Sequence, residues 1–511
     1  MSNILFDGLL AKSNLESQFA YVPSVNGERY FSYQDVMDVS ARFANTLVDL
    51  GVQPGDRVAV QVPKSIEAMI LYLATVRAGA VFLPLNTAYT ASEIQYFLEN
   101  AEPAVFVCDP EKRFAYKTLA EDLNIKLETL GIWESHSISA GSLADAALSA
   151  STEFKTVPRF GTDLAAILYT SGTTGRSKGT MLTHDNLLSN AQTLESYWRF
   201  TKKDVLLHAL PIFHTHGLFV ATNLVLLTGS SLIFLQAFNN DAVVENLPKA
   251  TAMMGVPTFY TRLLNDKRFN KPLVEHMRLF ISGSAPLLAE THTEFEKRTG
   301  HRILERYGMT ETNMNTSNPY DGDRRAGTVG FPLPKVEIRI TEAESGKVLG
   351  SDEVGILEVR GPNVFSGYWK MPEKTKEEFR EDGFFITGDL AKIDTDGYVH
   401  IVGRSKDLII TGGFNVYPKE VEIVLDEEEE VLESAVIGVP HPDFGEGVVG
   451  ILVAKTVKEI SKSVIMENIS SKLAKYKQPK SLIIVDELPR NTMGKVQKNI
   501  LRNEYKNLLV K

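Results

Sequence analysis

Short, continuously apolar runs alternate with amphipathic helical stretches from the amino terminus to about residue 340, and no other feature restricts the fold as tightly. VFLPLN (81–86), AVFVCD (104–109), LAAILYT (164–170), DVLLHALP (204–211), ATAMMGVP (250–257) and MRLFISGSAP (277–286) carry apolar residues on both faces. Strands of that kind belong inside a parallel sheet covered by helices on both sides. The helical stretches bring their own start and stop signals: SYQDVMDVSARFANTLVDLG (32–51) opens on Ser32 with Asp35 in the capping-box position and closes on Gly51. The fold class is therefore α/β, with a large amino-terminal domain of stacked α/β sheets. From about residue 336 to 402 the pattern changes to alternating strands with glycine-bearing turns, VEIRITEAESGKVLG, VGILEVRG and GYVHIVG, which suggests an antiparallel, β-barrel-like module. Beyond GRSKD (403–407) two strand candidates, SAVIGV and GILVAK, and two lysine-rich helical pieces suffice for a small α+β domain. The expected domains are 1–403 and 404–511.

A chain of 511 residues with 43% hydrophobic content can bury several cores. Its 64 acidic residues outnumber 54 basic ones, and the net charge of −10 opposes a nucleic-acid partner held by a general basic field. Cys108 is the single cysteine, which excludes an intramolecular disulfide and reads as a buried strand thiol, so a cytoplasmic protein is expected. MSNILFDGLLAKSNLESQ has neither a basic region nor a long apolar stretch and reads as a mature start. The uncharged segment 217–240 is split by TGSS into a helical half and a strand-like half, each too short to span a membrane, and is expected to be core. DEEEE (426–430) reads as a solvated helix end, and KLAKYKQPK (472–480) as an exposed amphipathic helix end.

The segment ILYTSGTTGRSKGTMLTH (167–184) delivers an apolar run into glycines, hydroxyls and Lys178. It is not a Walker A loop, because Ser177 precedes Lys178 and Gly179 follows it. Its glycine N–H groups with Thr170, Ser171, Gly172, Thr173, Thr174 and Lys178 form an oxyanion-binding set. Four other segments complete what a nucleotide reaction requires. ERYGMTETNMNTS (305–317) offers Glu311 as a carboxylate for a divalent ion, flanked by threonine hydroxyls, and the flat ring of Tyr307. DGFFITGDLAKID (382–394) presents Asp389 after a Gly388 turn, suited to the hydroxyls of a ribose, and GRSKDLIITGGFNVYPKEVE (403–422) contributes Arg404. LPRNTMGKVQKN (488–499) places Lys495 after a glycine.

These five segments, in this order and spacing, resemble the adenylate-forming enzymes, the superfamily of acyl-CoA synthetases, luciferases and peptide-synthetase adenylation domains. The resemblance covers essentially the whole chain. GVPTFYTRLL, RLFISGSAPLL, ERYGMTETNMNTSNPYDGDRRAGTVGFPLP and GVPHPDFGEG make it most similar to malonyl-CoA synthetases. It implies a large amino-terminal domain and a small mobile carboxyl-terminal domain with its hinge near Lys406. ATP, Mg2+ and coenzyme A would serve as reactants and metal, a carboxylate attacking the α-phosphate before the coenzyme A thiol attacks the acyl-adenylate. Lys495 would carry adenylation, Glu311 would hold Mg2+, and Thr310 would touch the α-phosphate. Asp389 and Arg404 would bind the ribose, while Ser284, Ala285 and Pro286 with Tyr307, Gly308 and Met309 would flank the nucleotide. Lys178 would steady the leaving pyrophosphate. His214 would line the acid pocket and gate it, His216 reading as a packed or capping residue. Gly412, Gly413 and Phe414 would line the coenzyme A tunnel. The partners implied are small molecules only, for a monomer or small homo-oligomer.

A dicarboxylate needs a cation at its far end, since breaking a buried ion pair typically costs about 3–5 kcal/mol. Arginine suits this best, because its planar fork takes a carboxylate bidentately. Arg262, on the helix expected after Pro257, is favoured over Arg278, which leads the strand LFISGS, and Ser284 would assist. Methylmalonate stays open as a second acid, one methyl shifting binding by only about 1–3 kcal/mol. A catalytically silent ligand sensor on the same fold stays open as well, although Lys495, Glu311, Asp389 and Arg404 are all present.

Overall fold

Ser32 caps the helix Tyr33–Asp49 through a reciprocal bond with Asp35, as its spacing predicts, and the helix packs beside Ile66–Arg77, every residue of which is buried. A helix apolar on all sides can survive only inside a layered fold. Its two charged exceptions are matched: Glu67 pairs with Arg29 at 2.7 Å, and Arg77 donates to the Met37 carbonyl at 2.8 Å and to Ser40 Oγ at 2.9 Å. The computed structural model describes residues 2–23, 27–132, 141–170, 177–412, 414–455, 461–470, 472–491 and 494–510. It falls into two compact units, Met1–Glu337 with Arg360–Phe385, and Ile338–Val359 with Ile386–Lys511.

The first unit contains two sheets. Seven strands run in the order Gly367–Tyr368, Lys178–Thr183, Leu164–Thr170, Val81–Pro84, Arg57–Gln61, Val105–Cys108 and Lys126–Thr129. The inner pairs are parallel, and Cys108 is fully buried in its strand as expected. The second sheet has nine strands, with Leu304–Met309, Leu279–Ser282, Ala252–Gly255, Val205–His208, Ser231–Phe234 and Gln18–Val22 parallel and adjacent in that order. The loops leaving the carboxyl ends of neighbouring parallel strands gather on one edge, the place where open α/β sheets bind ligands. The uncharged segment 217–240 is core, divided as expected into a helical and a strand half, Asn223–Thr228 and Ser231–Phe234. Its first turn, His216–Thr222, is a π-helix that apolar periodicity did not reveal.

In the second unit the strands Glu337–Thr341, Gly355–Arg360, Phe385–Ile393 and Val399–Arg404 form a four-stranded sheet in that order. The expected barrel-like module is thus an open sheet. Its last two strands are antiparallel, with Asp389 directly opposite Arg404. The remainder of this unit is a five-stranded sheet with helices packed against it, its core including Val421, Val436, Val448, Leu452 and Leu482. Two surface expectations change here. Within DEEEE, Glu428 is buried and accepts from Asn468 at 2.6 Å, because the helix end turns back toward the domain. The stretch 472–480 forms turns instead of a helix, Lys477 being tied to Glu420 at 2.6 Å.

Candidate active site

Three parallel strands of the nine-stranded sheet, two of them adjacent and the third one strand away, carry a cluster at or beyond their carboxyl halves. Beyond Val205–His208 come His214 and His216; beyond Leu279–Ser282 come Gly283 and Ser284; Arg306 lies within Leu304–Met309. His216 Nδ1 is 3.2 Å from Ser284 Oγ, and its backbone N–H donates to His214 Nδ1 at 3.3 Å. Ser284 adopts φ +70°, a left-handed conformation that a non-glycine residue keeps only where its surroundings enforce it.

Arg306 is 4% exposed, and among the described residues its Nε and Nη2 have no hydrogen-bond partner. Desolvation pushes its guanidinium down to about 9. The guanidinium lies against Gly283, where a Cβ would sit 2.4 Å from its Cζ, so only glycine admits it. Burial, followed by the charge of Arg306, holds the His216 ring well below the usual histidine range and thus neutral. His216 Nε2, Ser282 Oγ and Thr215 Oγ1 are also buried without partners among the described residues. Each orphaned polar group costs about 1–3 kcal/mol, and a charged one more, unless a ligand satisfies it. A neutral imidazole, hydroxyls and a guanidinium whose Nε and Nη2 have no partner among the described residues are groups that an anion could satisfy.

The two arginines singled out from sequence stand in different surroundings. Arg278 pairs with Asp204 at 2.5 Å, donates to the Trp198 carbonyl at 3.0 Å and lies over the Phe200 ring, while its Nη2 is buried without a partner among the described residues. Arg262 is exposed on the helix Pro257–Leu264, 5.9 Å from the Phe238 ring. Sequence reading did not single out Arg306, which sits inside ERYGMTE beside more conspicuous residues; its place in the buried first half of the strand Leu304–Met309 distinguishes it.

A second cluster surrounds Glu311, which is 6% exposed and has its carboxyl pushed up by burial. Tyr368 Oη lies 3.2 Å from Glu311 Oε1 and donates to Glu378 Oε2 at 2.6 Å. Lys178 Nζ pairs with Glu378 at 3.0 Å and stands 4.0 Å from the centre of the Tyr368 ring. Thr310 precedes Glu311, and Tyr307, partly buried, directs its hydroxyl to Met309 Sδ at 3.8 Å. A register shift at Tyr307/Gly308 breaks the edge pairing here. After Ser284, Ala285 is partly buried and Pro286 exposed. Thr170 ends its strand opposite Lys178. Ser171, Gly172, Thr173 and Thr174 lie outside the described residues, as does Gly413.

In the second unit Arg404 Nε pairs with the buried Asp389 at 3.0 Å. Desolvation first, then the charges of Arg404 and Lys406 against those of Asp389 and Asp407, lower the Lys495 ammonium to about 8. The turn that presents Lys495 is pinned by Asn491 Oδ1, which accepts from the Lys495 N–H at 3.0 Å, and by Gly494 at φ +74°. Lys406 is likewise lowered by desolvation and by Arg404. Gly412 takes φ +57° and donates to the Phe444 carbonyl at 2.9 Å, while the exposed Phe414 stacks on Tyr476 at 4.7 Å.

A model of the AMP-binding enzyme family matches residues 14–369, and one of the AMP-binding enzyme C-terminal domain matches residues 420–495. The chain is similar to the malonate–CoA ligase of Arabidopsis thaliana, 35% identical over 491 residues that cover 89% of this chain and 79% of that protein. The oxalate–CoA ligase of the same plant is 34% identical over 494 residues, covering 94% of this chain and 95% of that protein. Among solved structures, the ATP-bound MatB of Rhodopseudomonas palustris is 57% identical with a TM-score of 0.96, and 100% of both chains is covered.

Proposed function

The chain belongs to the AMP-binding enzyme family, and from that premise we propose that it is an AMP-forming acid–thiol ligase whose acid is malonate. Malonate, ATP and coenzyme A would give malonyl-CoA, AMP and pyrophosphate. The observation that carries the choice of acid is the buried Arg306, a cation without a counter-ion among the hydrogen-bonding partners of its Nε and Nη2. A monocarboxylate spends its only charge at the reacting end, whereas a dicarboxylate has a second one for this guanidinium.

In the first half-reaction a malonate oxygen attacks the α-phosphorus and pyrophosphate leaves. Arg306, with Ser284 and His216, would hold the distal carboxylate; Arg262 is the alternative. His214 lines the pocket in this reading. We assign Lys495 to the charge that builds between acid and α-phosphate, since a point charge removed from water acts strongly there. Thr310 is assigned to the α-phosphate, Asp389 and Arg404 to the ribose, Ser284, Ala285, Pro286, Tyr307, Gly308 and Met309 to the nucleotide's flanks, and Lys178 with Thr170 and residues 171–174 to the departing pyrophosphate. Among the described residues no group of three or more His, Cys, Asp or Glu could hold a metal alone, so Glu311 would supply one ligand to Mg2+ and phosphates and water the others. Mg2+, when bound, offsets triphosphate charge. In the second half-reaction the coenzyme A sulfur attacks the carbonyl, loses its proton, and AMP leaves. We place the hinge between the half-reactions at Lys406, with the moving part from residue 404 on, and assign Gly412, Gly413 and Phe414 to the pantetheine path. Among the described residues no helix is long and apolar enough to cross a membrane, and we place the protein in the cytosol.

Coenzyme A-dependent AMP release across malonate, methylmalonate, oxalate, succinate and butyrate tests this reading. Malonate should give the highest kcat/KM, with methylmalonate lower by roughly 10- to 200-fold. Preference for butyrate overturns the dicarboxylate assignment, and ligand binding without AMP release from any acid favours the sensor reading.

A further inference from the structure

Lys64, in the turn before the buried helix Ile66–Arg77, directs its amine at three acceptors. These are His208 Nδ1 at 2.9 Å, the His208 carbonyl at 2.9 Å and the Leu235 carbonyl at 2.7 Å. The Phe234 ring covers the amine at 4.3 Å, and among the described residues no carboxylate pairs with it. Burial lowers the Lys64 amine well below the ordinary lysine range, so its charge does not fix the ring; the Gly217 carbonyl beside His208 Nε2 can only accept, so the ring proton resides on Nε2 and Nδ1 accepts from Lys64. That Nε2–H donates to the Gly217 carbonyl at 2.8 Å, where Thr222 Oγ1 donates as well at 3.0 Å. Gly217 is the second residue of the π-turn His216–Thr222, and a Cβ on it would meet the Pro211 carbonyl oxygen at 2.1 Å. The residue before it is His216, with Nδ1 against Ser284 and Nε2 buried and unpartnered among the described residues.

We propose that Lys64 and His208 are positioning residues of the acid pocket: the hydrogen-bonded chain from the Lys64 amine through imidazole to the Gly217 carbonyl holds the π-turn that aims His216 at the substrate acid. π-turns inside helices store strain and are frequent at functional sites, and this one is braced from outside by a fixed tautomer. Without Lys64, His208 is free to carry its proton on Nδ1 and would turn a lone pair toward the Gly217 carbonyl. The inference rests on reading this pocket as the malonate site.

The full-length Lys64→Met, His208→Leu and His208→Gln variants test it by steady-state kinetics. Lys64→Met and His208→Leu should raise the KM for malonate about tenfold or more and leave the KM for ATP within about twofold. His208→Gln, whose amide can accept from Lys64 and donate to Gly217, should stay within about threefold of wild type. Equal losses in both KM values, or a Gln variant as damaged as the Leu variant, overturn the proposal. Histidine 15N NMR on the wild-type protein tests it even where a variant fails to fold: His208 should be the Nε2–H tautomer, and an Nδ1–H signal overturns the proposal. If another acid proves to be the substrate, the malonate reading fails while the KM split, measured with that acid, still decides the role of Lys64 and His208.

Discussion

An arginine buried without a carboxylate is a cost the free protein carries for its ligand. Replacing Arg306 by methionine, of similar reach but uncharged, should therefore leave the melting temperature equal or higher while malonate kcat/KM falls about 100-fold, the equivalent of ~3 kcal/mol. Calorimetry and kinetics on one preparation check this, and a lower melting temperature would mark Arg306 as structural. Arg262→Ala should change malonate kcat/KM by less than about fivefold, because an exposed cation contributes ~1 kcal/mol or less; a large loss there would return the role to the helix arginine. Lys495 gives the pH dependence. Its value of about 8 lies below the ordinary 10.5, so the fold binds this proton less tightly than the unfolded chain does, and stability rises with pH between those limits. Activity runs the other way. The ammonium is needed for adenylation, so kcat/KM of the first half-reaction should fall as pH passes about 8, and Lys495→Arg should remove that limb at a lower overall rate.

At the scale of elements, the short strand Gly367–Tyr368 and the helix Pro372–Glu377 bring a carboxylate to Lys178 that the loop itself lacks. If Lys178 binds the departing pyrophosphate as proposed, Glu378 competes with phosphate for the lysine. Glu378→Gln should lower the KM for ATP by up to about fivefold, the worth of a partly buried ion pair, as read by ATP titration of pyrophosphate release. An unchanged or higher KM would show that Glu378 aligns Lys178 instead of restraining it. The carboxyl ends of parallel strands were legible as positions because continuous apolar runs stop there. The backbone conformations just beyond those ends were not legible. The π-turn at His216–Thr222 and the left-handed Ser284 depend on contacts with Pro211, His208 and His216 that are distant in sequence or invisible to periodicity.

For the whole molecule, separate roles for the two half-reactions predict separable defects. Lys495→Ala should abolish adenylation yet hydrolyse or thiolyse supplied malonyl-adenylate at near wild-type rate, and a Lys406→Pro variant should adenylate normally but transfer to coenzyme A poorly; single-turnover assays distinguish these, and equal loss of both steps in either variant argues against a hinged exchange. The α/β class and the antiparallel strands between about residues 336 and 402 were readable from local pattern, because capping and apolar periodicity act over a few residues; that those strands set Asp389 opposite Arg404 was not. The charge balance of the acid pocket was decided only in three dimensions. Arg262, Arg278 and Arg306 are alike as letters, but one faces solvent, one pairs with Asp204, and one is buried against Gly283 with no hydrogen-bond partner for its Nε and Nη2 among the described residues. A guanidinium's availability depends on which distant groups share its desolvated space, and folding alone brings those groups together.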